Sequence, residues 1–161
     1  MIERYLELAQ RVRGEAPELE RITGRALAAW AHVERTPQEQ AYLDSVALNL
    51  HSFYSGLERL FELVARYVDG VTPTGEAWHR DLLQRMAQDL PPVRPALLSR
   101  DNAAALDEFR RFRHLVRNVY TMNLTADKVA MLISQLPSLW SRLRSELLAF
   151  ADFLEELAQA G

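Results

Sequence analysis

Apolar residues recur at steps of three and four along almost the whole chain, which is the spacing of one face of an α-helix. The clearest stripe follows Pro37 and consists of Val46, Leu50, Phe53, Leu57, Leu60, Val64 and Tyr67. A second stripe follows Thr125 and consists of Leu132, Leu136, Leu139, Leu143, Leu147, Phe150 and Leu154. No segment shows the period of two that a half-buried strand requires. The pattern predicts an all-α fold, an antiparallel up-and-down bundle of about five helices that forms a single domain over residues 1–161.

The first two helices are separated by a predicted capping signal. The first should cover roughly residues 2–34, with an interruption near Gly14–Pro17 because Pro17 has no amide hydrogen to donate. The second has the signature of a capping box with proline at the first helical position, formed by Thr36, Pro37 and Glu39. It should end at Asp69–Gly70, since glycine favours the left-handed conformation that follows a helix.

Prolines and polar residues delimit the next two helices. A shorter third helix should begin at Thr74 or Gly75 and end before Pro91–Pro92. Ser99 or Asp101 should then provide the N-cap of the fourth helix.

The last two helices meet at a short polar segment. The fourth helix should finish near residues 121–123, and Thr125 should cap the fifth, with Asp127 in its first turn. Pro137 predicts a bend in that fifth helix.

Composition narrows the classes of function. The chain of 161 residues has a formal net charge of −3, so contact with nucleic acid would need a local basic patch. It has no cysteine, and its four histidines have no metal-ligand spacing, so we expect neither a metal nor a cofactor. The N-terminus lacks the apolar run of a signal peptide, and no segment is long enough to span a membrane. These features predict a cytoplasmic protein.

Positive charge is concentrated in one stretch, RRFRHLVRNVYTMNL, from Arg110 to Leu124. On a helical wheel one arc should face the core and contains Phe109, Phe112, Val116 and Val119. The adjacent arc contains Arg110, Arg113, Arg117 and Tyr120, with His114 and Asn118 just beyond it. Arg113 and Arg117 lie one turn apart, so their guanidinium groups can converge on one anion.

These residue types suit a phosphodiester. Arginine donates paired, permanently charged hydrogen bonds to phosphate oxygens, histidine can move a proton near neutral pH, and tyrosine can stack on a base. We therefore take Arg110 and Arg117 as candidate substrate-binding residues. The alternative is a solvated helix face whose arginines pair with nearby acids.

The same stretch resembles the HEPN superfamily and, within it, the HepT-like ribonuclease toxins. Members carry an arginine, a polar residue, a short spacer, a histidine and then a tyrosine on one helix. Here Arg113 matches the arginine, His114 the polar position and Tyr120 the tyrosine. The stretches FYSGLERLFELVARYVDG, AWHRDLLQRM and VRPALLS are similar to further motifs of one HepT-like subgroup.

The resemblance implies a helical homodimer in which facing motif helices form a metal-independent site for RNA cleavage. A ribose 2′-hydroxyl would attack the adjacent phosphate, with Arg113 stabilising the added charge and a histidine moving protons. It also implies a nucleotidyltransferase antitoxin, which in some systems modifies the motif tyrosine, here Tyr120, with AMP.

Asn118 departs from the family pattern, because it lies where the motif histidine is expected. An amide can hold phosphate or water but cannot act as an acid or base near neutral pH. Three explanations compete: His114 supplies the proton transfer instead, the protein binds RNA or a partner with weak or absent cleavage, or the asparagine is an engineered substitution. A third type of function is a dimerisation module in which the arginines only aid solubility.

Four residues outside the basic stretch are further candidates. Glu58 lies one turn after Tyr54 and could orient an arginine of the fourth helix, or pair within its own helix. Trp78 and His79 could line the active groove, or act as a packing tryptophan and a capping histidine. We take Tyr54, Glu58 and His79 as candidate substrate-binding residues. For the nuclease hypothesis we expect Arg113→Ala and His114→Ala to abolish cleavage with little change in thermal stability.

Overall fold

The computed structural model describes residues 1–116 and 124–160, with the backbone alone described at 114 and 115. Five α-helices occupy these residues: α1 (Ile2–Arg35), α2 (Gln40–Val64), α3 (Trp78–Met86), α4 (Arg100–Val116) and α5 (Ala126–Ala160). A π-helical turn over Ala65–Asp69 continues α2. The predicted all-α helical bundle is confirmed.

The two long apolar stripes form the core. Every predicted stripe residue of α5 is buried, and so are those of α2 from Val46 to Val64. The ring of Phe53 packs edge-on against Phe109 of α4 and Trp140 of α5, which joins three helices at one point. Tyr67 was wrongly assigned to the stripe: it is 43% exposed, because the π-helical turn widens the helix and breaks the register of the pattern. The Arg4 guanidinium lies over its ring.

The first helix is not interrupted, contrary to the sequence-based expectation. α1 continues through Pro17, whose neighbours Ala16 and Leu19 are buried while Pro17 itself is exposed. Because α1 packs along both α2 and α5, burial of its apolar face on either side of Pro17 outweighs the lost backbone hydrogen bond. Local propensity alone therefore misplaced this boundary.

Thr36 ends α1 and does not begin α2. Its hydroxyl and its backbone amide both donate to the carbonyl of His32, at 2.8 and 2.9 Å. α2 starts at Gln40, and its N-cap residue Glu39 makes no side-chain cap. The predicted capping box is therefore wrong, since the threonine hydrogen-bonds to a carbonyl in the last turn of the preceding helix. The end of this segment at Gly70 is confirmed, with φ of 72°.

The later boundaries agree better with prediction. α3 begins at Trp78, a few residues after the expected Thr74 or Gly75, and ends at Met86. Ser99 caps α4 as expected, since its hydroxyl oxygen accepts the Asn102 amide at 3.2 Å. α5 begins directly after Thr125 and continues through Pro137. The bend at Pro137 remains a prediction, and the expected end of α4 near residues 121–123 lies outside the described residues.

No helix within the described residues is long and apolar enough to cross a bilayer.

Candidate functional site

Arg113 of α4 points into the protein, where side chains from two other helices surround it. Its Nη1 donates to Glu58 Oε1 of α2 at 2.8 Å, and its Nη2 lies 2.9 Å from His79 Nδ1 of α3. Ser55 Oγ is a more distant acceptor for Nη1, at 3.5 Å. We call Glu58, His79 and Arg113 the three-helix cluster. It brings together one acid, one imidazole and one guanidinium that are far apart in the sequence.

Glu58 has the orienting position that the sequence predicted for it. Its side chain is buried, and its two carboxylate oxygens face different partners, Arg113 through Oε1 and His79 through Oε2. The alternative of a surface glutamate paired within α2 is wrong. A buried carboxylate without a cation would be costly, so Arg113 is what allows Glu58 to lie here.

His79 Nδ1 lies between two groups, 2.8 Å from Glu58 Oε2 and 2.9 Å from Arg113 Nη2. A ring nitrogen carries one hydrogen at most, so Nδ1 either donates to the carboxylate or accepts from the guanidinium. In the neutral ring, Nε2 is an unprotonated acceptor when Nδ1 carries the hydrogen, and Nε2 carries the hydrogen when Nδ1 accepts.

The imidazole of His79 is held from its face as well as from its edge. The Trp78 ring stacks on it with centroids 3.6 Å apart and planes at 30°. The suggestion that His79 is a capping residue is wrong, because Ala77 occupies the N-cap of α3 and no side chain caps this end. Trp78 is half-buried and packs against the core, which agrees with the packing role proposed for it.

The close approach of α1 and α2 sets the orientation of the α2 residues. A Cβ at Gly56 would lie 2.9 Å from Leu19 Cδ2, so any larger residue would require the Leu19 side chain of α1 to shift. With Gly56 facing α1, Tyr54 and Glu58 share a different face of α2, which is directed at α4 and α3.

A family comparison covers this region. A family model described as HepT-like protein matches residues 45–154. The chain belongs to the HepT-like family. The match includes all of the three-helix cluster and leaves the whole of α1 outside it. This confirms the resemblance to the HepT-like subgroup of the HEPN superfamily. No curated protein and no solved structure matches the chain.

Tyr54 lies beneath the cluster of this HepT-like protein. Its side chain is fully buried, and the Arg113 guanidinium carbon lies 5.6 Å from the centre of its ring. Burial is the main cause that raises the pKa of the Tyr54 hydroxyl, the Glu58 charge adds to it, and Arg110 and Arg113 oppose it. The hydroxyl therefore stays protonated, and any contribution it makes to a substrate site passes through Arg113.

Tyr54→Phe should raise the free energy of unfolding by about 1 kcal/mol, since an unpaired buried hydroxyl costs roughly that amount. The Tyr54 oxygen has no hydrogen-bond partner within the described residues. Urea unfolding of the two proteins, compared by the midpoint and slope of each curve, checks this. A clear loss of stability would contradict an unpaired Tyr54 hydroxyl.

The other described arginines of the basic stretch pair with acids on their own helix. Arg110 Nε donates to Asp107 Oδ1 at 2.7 Å, and Arg111 Nε lies 3.0 Å from Asp107 Oδ2. The alternative of a solvated face predicts such pairing, and Arg111, whose side chain is 62% exposed, fits it fully. Arg110 is paired in the same way, but its side chain is only 19% exposed. Arg113 differs, because it is buried and pairs across helices.

A groove of about 730 Å³ runs between α3 and α4, and its lining includes Gln84, Arg100 and Asp107. None of the three cluster residues lines this groove. This groove is therefore separate from the HepT-like cluster.

The remaining candidate residues of the HepT-like motif cannot be placed. Arg117, Asn118 and Tyr120 lie outside the described residues, and so does the side chain of His114. The convergence of Arg113 with Arg117 therefore stays a prediction. Phe109, Phe112 and Val116 are buried as the helical wheel predicted, and Val119 is also outside the described residues.

Proposed function

We propose that this HepT-like protein is a toxin that cleaves RNA without a metal ion. The observation that carries the proposal is the three-helix cluster, in which a buried guanidinium, an imidazole and a carboxylate meet next to the basic stretch of α4. Such a set can bind a phosphodiester, stabilise the charge that develops on it and move a proton.

The attacking group would be the 2′-hydroxyl of the ribose next to the scissile phosphate. Arg113 supports this reaction as a permanent positive charge in a poorly solvated position, where electrostatic stabilisation is stronger than in water. Two of its nitrogens contact Glu58 and His79, so its fork is already oriented before RNA binds. His114, Asn118 and Tyr120 remain candidates for contacts to the same phosphate.

The proposed partners follow from the family. We expect a homodimer in which two α4 helices face each other, and a nucleotidyltransferase antitoxin that holds the toxin in check in the cytoplasm. Tyr120 would be the residue that the antitoxin modifies. Co-expression with its nucleotidyltransferase antitoxin should restore growth to cells that the toxin alone arrests.

A second candidate function is a binding module with weak cleavage or none. The ion pair between Arg113 and Glu58 favours this function, because the carboxylate already takes up part of the guanidinium's hydrogen-bonding capacity. Asn118 favours it as well, because an amide cannot transfer a proton. In this case RNA binds in a salt-sensitive manner without product. Asn118→His should then switch cleavage on.

Purified protein incubated with RNA in EDTA tests the first candidate. We expect cleavage by the parental protein and a loss of at least about 100-fold in Arg113→Lys, because an ammonium cannot reproduce the fork of hydrogen bonds. Arg111→Ala is the matched control on the same helix, since Arg111 is exposed and pairs with Asp107. This control should cleave at the parental rate.

Equal cleavage by Arg113→Lys and Arg111→Ala would remove Arg113 from the site. RNA binding without any cleavage by the parental protein would favour the binding module.

A further inference from the structure

We infer that His79, oriented by Glu58, is the residue that transfers protons in RNA cleavage. The inference rests on the proposed ribonuclease function. It assigns the acid–base step of that function to a residue of α3 instead of a residue at motif position 114 or 118. It also gives the cluster a division of roles, in which Glu58 is a positioning residue and His79 a catalytic one.

Exposure is the first observation that supports this assignment. The side chain of Glu58 is 5% exposed and that of Arg113 is 9% exposed, whereas that of His79 is 25% exposed. Of the three cluster side chains, the imidazole is therefore the most accessible to an RNA strand. Glu58 can act only through the groups it contacts.

The hydrogen bond to Glu58 is the second observation. A carboxylate oxygen only accepts, so the 2.8 Å contact between Oε2 and His79 Nδ1 is a hydrogen bond when Nδ1 carries the proton. The neutral ring then presents Nε2 as an unprotonated acceptor. A carboxylate that fixes the tautomer of a histidine in this way is the arrangement that activates histidine bases in hydrolytic enzymes.

The third observation is that the ring is fixed on two sides. Trp78 stacks on its face, and Glu58 Oε2 accepts the hydrogen of Nδ1 at its edge. Within the described residues Nε2 has no hydrogen-bond partner, and it lies on the ring edge away from the cluster. A base must be held in place to act efficiently, and these contacts supply that constraint.

The step proceeds by transesterification. His79 Nε2 removes the proton of the ribose 2′-hydroxyl as the 2′-oxygen forms a bond to phosphorus and the bond from phosphorus to the 5′-oxygen breaks. The departing 5′-oxygen takes a proton from water, and His79 later returns its proton to the solvent. The products are a 2′,3′-cyclic phosphate and a 5′-hydroxyl, with no change in oxidation state.

This assignment accounts for Asn118. If the acid–base group comes from α3, an amide at that position is compatible with cleavage and can serve as a hydrogen-bonding contact to phosphate. The histidine of the usual motif is then replaced in function by one from another helix.

Single-turnover RNA cleavage as a function of pH tests the inference. His79→Ala should lose about 10²–10⁴-fold in rate, the usual contribution of a positioned acid–base group. The acid limb of the pH profile, which is the fall in rate as the pH is lowered, should disappear in this variant. Added imidazole should restore part of the rate. His32→Ala, which changes an exposed histidine at the end of α1, should match the parental protein.

Glu58→Gln tests the positioning role separately. The glutamine can accept the Nδ1 hydrogen but carries no charge, so the acid limb of the profile should move and kcat should fall more than KM rises. A variant that lowers the rate at all pH values without moving the limb would indicate a structural role for Glu58 only.

A measurement on the unaltered protein avoids any effect of substitution on folding. Nitrogen-15 NMR of the histidine rings should show His79 as the neutral tautomer with its hydrogen on Nδ1. A neutral ring with its hydrogen on Nε2 would overturn the assignment, because Nε2 could then accept no proton.

The outcomes separate this inference from the proposed function. If the parental protein cleaves RNA, and His79→Ala keeps both its rate and its acid limb, the inference is wrong and the ribonuclease function stands. If the parental protein leaves RNA intact under all conditions, both are wrong.

Discussion

Arg113→Ala should lower the free energy of unfolding by about 3–5 kcal/mol, because it leaves a buried carboxylate without its cation. Glu58 and Arg113 are both buried, and their ion pair links α2 to α4 at 2.8 Å. This expectation replaces the sequence-based one of unchanged thermal stability, which assumed an exposed arginine. Chemical denaturation followed by circular dichroism measures the difference.

A double-mutant cycle with Glu58→Gln provides the control. The double variant carries no buried charge at this pair, so it should recover part of the stability that Arg113→Ala loses. Arg111→Ala, on the exposed face of α4, should have a far smaller effect. Strictly additive effects of the two substitutions would contradict the pairing of Glu58 with Arg113.

Asp69→Ala should also cost about 3–5 kcal/mol, since it removes the acid from a second buried ion pair. Asp69 accepts from Arg94 Nε at 2.6 Å and from Arg85 Nε at 2.7 Å, and the side chains of Asp69 and Arg94 are completely buried. Arg94 also donates to the backbone carbonyls of Gln88, Pro95 and Arg85. Asp69, in the π-helical turn that continues α2, is thus linked to α3 through Arg85 and to the segment after α3 through Arg94.

The thermal midpoint of this variant should fall by at least about 6 °C, at roughly 2–4 °C per kcal/mol for a chain of this size. Asp152→Ala is the control, because Asp152 is an exposed acid that pairs with Arg13 across α1 and α5. Its midpoint should barely change. A midpoint for Asp69→Ala that matches the control would show that the buried pair does not hold α3 in place.

The helical pattern predicted the elements well because burial and periodicity act together over many residues. The α5 stripe and the α2 stripe up to Val64 are buried as their spacing requires. Boundaries that depend on one or two residues were less predictable. Pro17 lies inside a continuous helix because packing on both sides outweighs one hydrogen bond, and Thr36 caps the helix before it instead of the one after it.

The parts of the site that depend only on residue type and on position around a helix could be predicted from the sequence. Glu58 was expected to orient an arginine of the fourth helix, and it contacts Arg113. The contact of His79 with Glu58 and Arg113 was not predicted, because it depends on how α3 packs against α2 and α4. The buried Asp69–Arg94 pair gave no signal either, since isolated charges at these positions look like surface residues in the sequence.

The nature of the reaction is tested most directly by cleavage of a short RNA and of its copy with deoxyribose at every position, in EDTA. A site built from Glu58, His79 and Arg113 predicts that the RNA is cut to products ending in a 2′,3′-cyclic phosphate and that the deoxyribose copy stays intact. Cutting of both strands, or RNA products that end in a 5′-phosphate, would contradict attack by the 2′-hydroxyl at this cluster.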